Sequence, residues 1–405
     1  MKRILIVGGG AGGLITANKL AQDLSADLKK EEISISVIDP AVYHEFQPGY
    51  IGIAFKGEKP EAMRRRVSSL ILRGINLIKE KCAKIIPDEN KIITGSGRNI
   101  GYDYLVVSTG CEPDYSQIEG LSRDNLDYHT SAEKSVNVYR AISSMKSGRI
   151  VAGIAGLPYK CPPSPNEAAL LLDEFFTRSG LRDRVNINFI TPYIRIYPAE
   201  PINEVIEPLF RERNIEMNTG FTVDRIDTAG KKVISLEGDQ IPYDTLMLVP
   251  PHKPGDFLKG QEFTDEDGWI KTDKTDLHIS TYENAFAIGD VTNIPISKAG
   301  VEAHLEGIVV GENIVNDITG NNVKALFTGR TQCSMETGYG KATFVIGTYT
   351  KPVLKLPPSK DKYIMKKMME SMYWDALMGR TEAIFKAYFG DDYIQYQSRP
   401  ARVPA

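Results

Sequence analysis

Cysteine is scarce in this sequence: four in 405 residues (Cys82, Cys111, Cys161, Cys333), with no CxxC pair and no Cys/His cluster. That excludes a disulfide scaffold and a structural metal cage, so a special cysteine here acts through its own chemistry. The five histidines (His44, His129, His252, His278, His304) are scattered without ligand spacing. They read as structural or solvated, and no metal is expected. A basic excess is missing too, because 49 Lys and Arg face 52 Asp and Glu, which argues against a nucleic-acid partner. No apolar run approaches the roughly 18 residues of a spanning helix, although a surface anchor stays open. Residues 3–7 (RILIV) run straight into glycines. The start therefore reads as a strand rather than an export signal. What remains is ordinary globular composition, 42% hydrophobic and 25% charged, in a chain long enough for two or three domains.

Ile4-Leu5-Ile6-Val7 is a β-rich run followed by Gly8-Gly9-Gly10-Ala11-Gly12-Gly13 and the helix-like Leu14–Leu20. Strand, glycine turn and helix make a phosphate cradle: Gly8 permits the turn, Gly10 lets backbone approach a pyrophosphate, and Gly13 lets the helix pack on the strand. A second strand, Ile33–Ile38, ends in Asp39, where a carboxylate can accept from ribose hydroxyls. Two later segments complete a pattern similar to two-dinucleotide flavoproteins: Ser108-Thr109-Gly110, and the buried-strand signature Ala287-Ile288-Gly289-Asp290. This resemblance implies FAD.

Tyr102-Asp103-Tyr104-Leu105-Val106-Val107 and Tyr243-Asp244-Thr245-Leu246-Met247-Leu248-Val249 repeat one pattern, each closing a dinucleotide-binding unit. The second unit opens at Arg149–Gly156, where a nicotinamide site needs GxGxxG leading into a helix. Instead come Leu157-Pro158-Tyr159-Lys160-Cys161-Pro162-Pro163-Ser164-Pro165. Four prolines are expected to deny a helix N-terminus its free N–H donors. The next strand ends in Thr191-Pro192, with no carboxylate for a ribose. NADH is therefore a poor candidate substrate. A rigid turn carries Cys161 in its place, ahead of an apolar helix expected from about 166 to 176.

These residues resemble the sulfide:quinone oxidoreductase and flavocytochrome c sulfide dehydrogenase family. The marks are Phe46-Gln47-Pro48, Cys161 within C-P-P-x-P-x-E, Lys298-Ala299-Gly300, and Cys333 in the third section. The resemblance implies that Cys161 and Cys333 meet beside the flavin and handle sulfide sulfur as a disulfide or longer bridge. It also implies FAD contacts from Gly8, Gly10, Ala11, Gly12, Gly13, Asp39, the backbone at Cys82, Thr109, Gly110, Gly289, Asp290, Lys298 and Gly300. Glu167, six residues past Cys161, is a candidate acid/base or else a first-turn helix carboxylate. Lys298 would place a cation near the flavin ring. Where many family members carry a third cysteine, this sequence has Tyr128-His129-Thr130. Cys111 reads as a small packed residue.

The fold class expected is α/β: two Rossmann-like dinucleotide-binding units plus a C-terminal section with amphipathic helices. The boundaries expected are 1–112 and 245–320 for the FAD domain, 113–244 for the second unit carrying Cys161, and 321–405 for a membrane-associating or dimer section. Residues 360–389 space Met365, Met368, Met369, Met372, Tyr373, Trp374, Leu377, Met378, Ile384, Phe385, Tyr388 and Phe389 at threes and fours. That pattern gives one or two helices broken near Gly379, with Lys360, Lys362, Lys366 and Lys367 flanking the entry. Such helices suit a membrane interface where a lipid quinone enters, or a packed pair in which methionine fills gaps. The reading is an enzyme oxidising sulfide and reducing a quinone, peripheral on the cytoplasmic side of the membrane, and homo-oligomeric. Its competitors are a flavocytochrome-type sulfide dehydrogenase subunit, a type II NADH:quinone dehydrogenase, and a non-catalytic flavin redox sensor.

Overall fold

A computed structural model describes residues 1–390 and 392–398, with the side chains of Phe385, Tyr388 and Phe389 outside that description. The expectations for those three rings and for residues 399–405 thus lie outside the described residues. The apolar runs read from the sequence become parallel strands, because each is bounded by glycine or a polar turn and is too short for a core helix. Strands β1 (Lys2–Val7), β2 (Ile33–Ile38), β3 (Ile75–Ile78) and β4 (Tyr104–Val107) pair in parallel. The chain then leaves to build a second parallel sheet from β5 (Gly148–Ile154), β6 (Val185–Thr191), β7 (Ile215–Thr219) and β8 (Thr245–Val249), in the order β7-β6-β5-β8. It returns with β9 (His278–Ile279) and β10 (Tyr282–Ala287) to give a first sheet ordered β9-β10-β4-β1-β2-β3.

The boundary expected at residue 245 is corrected. Thr245–Val249 pairs in parallel with Ile150–Ile154, so this strand closes the second unit just as β4 closes the core of the first. The repeat itself demands this, since Tyr243-Asp244 stands to β8 as Tyr102-Asp103 stands to β4.

Helix α1 (Ala11–Asp23) follows the glycine turn, α2 (Ser164–Arg178) follows the Cys161 turn, and α3 (Gly300–Thr319) follows the strand ending in Gly289-Asp290. Gly307 lets α3 lie close to α1, for a Cβ there would fall 2.5 Å from the Ile15 side chain. The second unit buries Ile150, Ile187, Phe189 and Phe210, and the first buries Ile4, Ile6, Val37 and Val106. Each such side chain contributes about 1.5–3 kcal/mol. A hairpin, β11 (Thr331–Gly338) and β12 (Lys341–Gly347), then carries Cys333 into the core of the second unit. The C-terminal pattern resolves into α4 (Lys360–Leu377) and α5 (Glu382–Phe389), broken at Gly379 with φ +68°. No helix among the described residues is long and apolar enough to cross a membrane.

Candidate active site

The glycine turn after β1 leaves no room for side chains where it must be tight. A Cβ at Gly8 (φ +108°) would lie 2.3 Å from the Ser108 carbonyl oxygen, and one at Gly13 would lie 1.9 Å from the Gly8 oxygen. Gly10 faces open space, its nearest neighbour being 3.9 Å away, just before Ala11 and Gly12 begin α1. That open face and the α1 N–H groups make an anion cradle. Asp39 holds the cradle's edge: its Oδ2 accepts the Gly9 N–H at 2.5 Å and its Oδ1 the Ala41 N–H at 2.6 Å. Each oxygen keeps lone-pair capacity for a hydroxyl. The hydroxyl of Thr109 is buried without a protein partner beside Gly110 (φ +66°), an orphan that a bound group would satisfy. Asp290 follows Gly289 (φ +72°), and burial raises its carboxyl against the pull of Lys160 and Lys298. These residues fit a dinucleotide running from Asp39 past the glycine turn.

Three other expected contacts have definite places. Cys82 opens the strand Cys82–Ile86, where its thiol donates to the Lys84 carbonyl at 3.6 Å and burial pushes it up to about 12. Lys298 donates to the Asp290 and Thr292 carbonyls at 2.9 and 2.8 Å and stands 3.8 Å from the Trp269 ring centroid. Gly300 is the first residue of α3. Cys111 contacts Asp290 at 3.7 Å, and burial raises its thiol.

Cys161 and Cys333, 172 positions apart by number, come within electrostatic range of one another. Both are free thiols, both respond to the Glu302 carboxyl, and the hydroxyl of Tyr197 responds to both. The Cys161 N–H donates to the Lys298 carbonyl at 2.7 Å, tying this turn to the start of α3, and Lys160 reaches Gln47 at 2.8 Å. Cys161 has φ +55°, a conformation that a non-glycine residue adopts at a cost of about 1–3 kcal/mol. The expectation about the prolines is corrected in part. Helix α2 begins directly at Ser164, with Pro163 as N-cap and Pro165 inside the first turn. Proline is tolerated there because those N–H groups have no intrahelical partner. The Ser164 N–H donates to the Cys161 carbonyl at 3.0 Å, and the neighbouring Ser164 offsets part of the thiol's upward shift. A cysteine sulfur thus stands at the helix N-terminus where a nicotinamide unit would receive pyrophosphate. Burial and then Glu167 nevertheless push the Cys161 thiol up to about 12.

Glu302 is the functional candidate that sequence reasoning missed. It lies in the first turn of α3, 1% exposed, and accepts from Thr331, from the Gln332 N–H at 3.3 Å and from Cys333 Sγ at 3.6 Å. Burial pushes its carboxyl up to about 7. Only its place as the third residue of α3, in Gly300-Val301-Glu302, hinted at a first-turn carboxylate. Glu167 is likewise buried and pushed up to about 7, chiefly by burial, with Lys366 opposing. It accepts the Glu336 N–H at 2.8 Å. Lys366, expected among the lysines flanking the helix entry, is corrected: it is 5% exposed, 3.6 Å from Glu167, 3.7 Å from Glu336 and 2.6 Å from Glu370. Burying an ammonium requires carboxylates on several sides, and here α2, β11 and α4 supply them. The histidines regroup as well. His44 bonds Gly9 at 3.1 Å and Tyr373 at 2.6 Å, and His129 bonds Ser164 and faces His252 at 6.1 Å between ring centroids. No group of three metal-ligating side chains occurs among the described residues.

With this geometry in view, the family model described as pyridine nucleotide-disulphide oxidoreductase matches residues 2–151. The mitochondrial sulfide:quinone oxidoreductase of Mus musculus is 27% identical over 392 residues, covering 93% of this chain and 86% of its own. The sulfide-quinone reductase of Aquifex aeolicus is 26% identical, covering 99% of this chain and 92% of its own. A crystal structure of the sulfide:quinone oxidoreductase from that bacterium superposes with a TM-score of 0.86 at 24% identity, over all of both chains. Fold and site together define an α/β oxidoreductase with two dinucleotide-binding units and a flavin-type cofactor. Within that class the chain is similar to sulfide:quinone oxidoreductases.

Proposed function

We propose that this protein binds FAD, oxidises sulfide through Cys161 and Cys333, and delivers the electrons to a lipid quinone at the cytoplasmic surface of a membrane. The observation that carries the reading is the convergence of the two thiols with Glu302 at the start of α3, where the second unit presents Cys161 at the N-terminus of α2. Gly8, Gly10, Ala11, Gly12 and Gly13 would hold the pyrophosphate, Asp39 a ribose, and Thr109, Gly110, Gly289, Asp290 and Gly300 the flavin end. FAD, when bound, supplies a two-electron acceptor that can also reduce a quinone.

The residues' own chemistry is thiol exchange. Hydrosulfide attacks one sulfur of a Cys161–Cys333 bridge: the S–S bond breaks, a new S–S bond leaves a persulfide on one cysteine, and the other departs as thiolate. Glu302, 3.6 Å from Cys333, is placed to take or return that thiol's proton, and a carboxyl pushed up to about 7 is well suited to both. Glu167 serves the Cys161 side through the electrostatics of its buried cluster. Helices α4 and α5 would rest at the membrane, where Ile364 is 65% exposed beside Lys360 and Lys362.

The test is an anaerobic titration of the flavin absorbance of the holoprotein. Sulfide is expected to bleach it stoichiometrically and NADH to leave it oxidised. Bleaching by NADH with no response to sulfide would defeat the reading.

A further inference from the structure

Helix α4 reaches back to the glycine turn through a single imidazole. His44, in the short strand Tyr43–Glu45, is 8% exposed, and both its ring nitrogens are partnered. Its Nδ1 lies 3.1 Å from the Gly9 carbonyl oxygen, and its Nε2 lies 2.6 Å from the Tyr373 hydroxyl. A carbonyl only accepts, so Nδ1 carries the proton, Nε2 is the bare acceptor, and Tyr373 donates to it. Burial lowers His44, which keeps the imidazole neutral, and burial raises Tyr373, which keeps its hydroxyl a donor. The Gly9 carbonyl belongs to the Gly9–Gly10 peptide of the cradle. A trans planar peptide sends its N–H opposite to its C=O, so the His44 bond fixes the direction of the Gly10 N–H. The preceding peptide is pinned separately, its Gly9 N–H donating to Asp39 at 2.5 Å. Glycines turn freely, and without such pins the anion itself would have to order the turn on binding.

We propose that Tyr373, acting through His44, is a positioning residue for the phosphate cradle: helix α4 holds the Gly9–Gly10 peptide in its anion-binding orientation and so sets how long FAD stays bound. The tyrosine fixes the tautomer and plane of the imidazole, the imidazole fixes the peptide, and the peptide presents the Gly10 N–H. Phe46 keeps the tyrosine in place, with its ring centroid 4.5 Å from that of Tyr373. Helix α4 is also tied to α1 at a second point. There Asn18 donates to the Leu377 carbonyl at 2.7 Å and Gln22 to the Met378 carbonyl at 2.9 Å. Those bonds seat the end of α4 about two and three turns along α1 from the glycine turn, which separates the relay from the docking of α4 in general. The inference gives α4 a duty toward the cofactor in addition to the membrane, and it rests on FAD occupying the cradle.

The test follows FAD leaving the full-length holoprotein, read as the change in flavin fluorescence after dilution, together with the phosphorus NMR spectrum of the bound pyrophosphate. Tyr373→Phe keeps the ring and removes the bond. It should speed release by about three- to tenfold and shift the pyrophosphate resonances. His44→Phe should do the same, and the double variant should release FAD no faster than His44→Phe alone, because the two residues act as one chain. Gln22→Ala frees the end of α4 but leaves His44 and Tyr373 in place, so it should match the unsubstituted protein in both readings. Unchanged release and resonances in Tyr373→Phe would overturn the relay, whether or not His44→Phe folds. Equal speeding by Gln22→Ala, or additive effects in the double variant, would overturn it as well. A holoprotein that carries FAD but ignores Tyr373→Phe overturns the relay alone, whereas a chain that takes up no FAD overturns the cofactor reading and the relay together.

Discussion

At the scale of single residues, the site depends on groups whose protons are moved by burial. Glu167 and Glu302 are pushed up to about 7 and Glu306 to about 8, in each case mainly because a carboxylate there would lose its water. A carboxyl with a raised folded-state pKa stabilises the fold below its ordinary value near 4.5, and that contribution disappears as pH rises through 7 to 8. The thermal midpoint should therefore fall between roughly pH 5 and 8. Glu302→Gln, which keeps the shape and removes the titration, should flatten this slope by on the order of a few kcal/mol, measured by calorimetry across the series. An unchanged slope would contradict the burial of this carboxyl. Cys161, Cys333 and Glu167 were legible as single residues because local spacing marked two of them and family resemblance the third. Glu302 was not, since its partner Cys333 lies 31 positions away and no local pattern connects them.

At the scale of elements, two helix starts frame the candidate site and one helix packs against it. The turn before α1 was readable because each glycine answers a local steric demand. Gly13→Ala would put a methyl 1.9 Å from the Gly8 oxygen and push α1 off β1. The purified variant should lose most of its flavin and about 1–3 kcal/mol of stability, checked by absorbance per chain and urea unfolding. Helix α4 was readable in extent but not in role. Its threes-and-fours pattern located it, yet the burial of Lys366 is decided by Glu167 on α2 and Glu336 on β11. Burial alone would lower Lys366, and the surrounding carboxylates, Glu167 foremost, hold it well above the usual lysine range. Lys366→Met should accordingly cost about 3–5 kcal/mol in urea unfolding, because it strands buried carboxylates. Lys360→Met, on the exposed first turn of the same helix, should stay within about 0.5 kcal/mol.

At the scale of the whole molecule, two copies of one architecture have diverged in what their first loops hold. The first unit keeps a glycine cradle, and the second sets a cysteine at the corresponding helix start. The presence of two units followed from the repeated Tyr-Asp strands, whereas the sheet order and the approach of β11 to α2 require the folded chain. The same arrangement leaves Ile364 exposed on α4 with lysines around it. Vesicles of mixed neutral and anionic lipid should sediment the protein, and Ile364→Asp should reduce the bound fraction several-fold without changing flavin content. Equal sedimentation would place the membrane contact elsewhere.

The central claim is that two distant cysteines share sulfur, and peptide mapping under non-reducing conditions tests it most directly. Holoprotein given one equivalent of sulfide without acceptor, then acceptor, is quenched, digested and analysed by mass spectrometry. The account predicts a Cys161 peptide joined to a Cys333 peptide through a bridge of two or more sulfur atoms, absent from Cys161→Ser. Cys161 and Cys333 recovered only as separate peptides, whatever the acceptor, would contradict it.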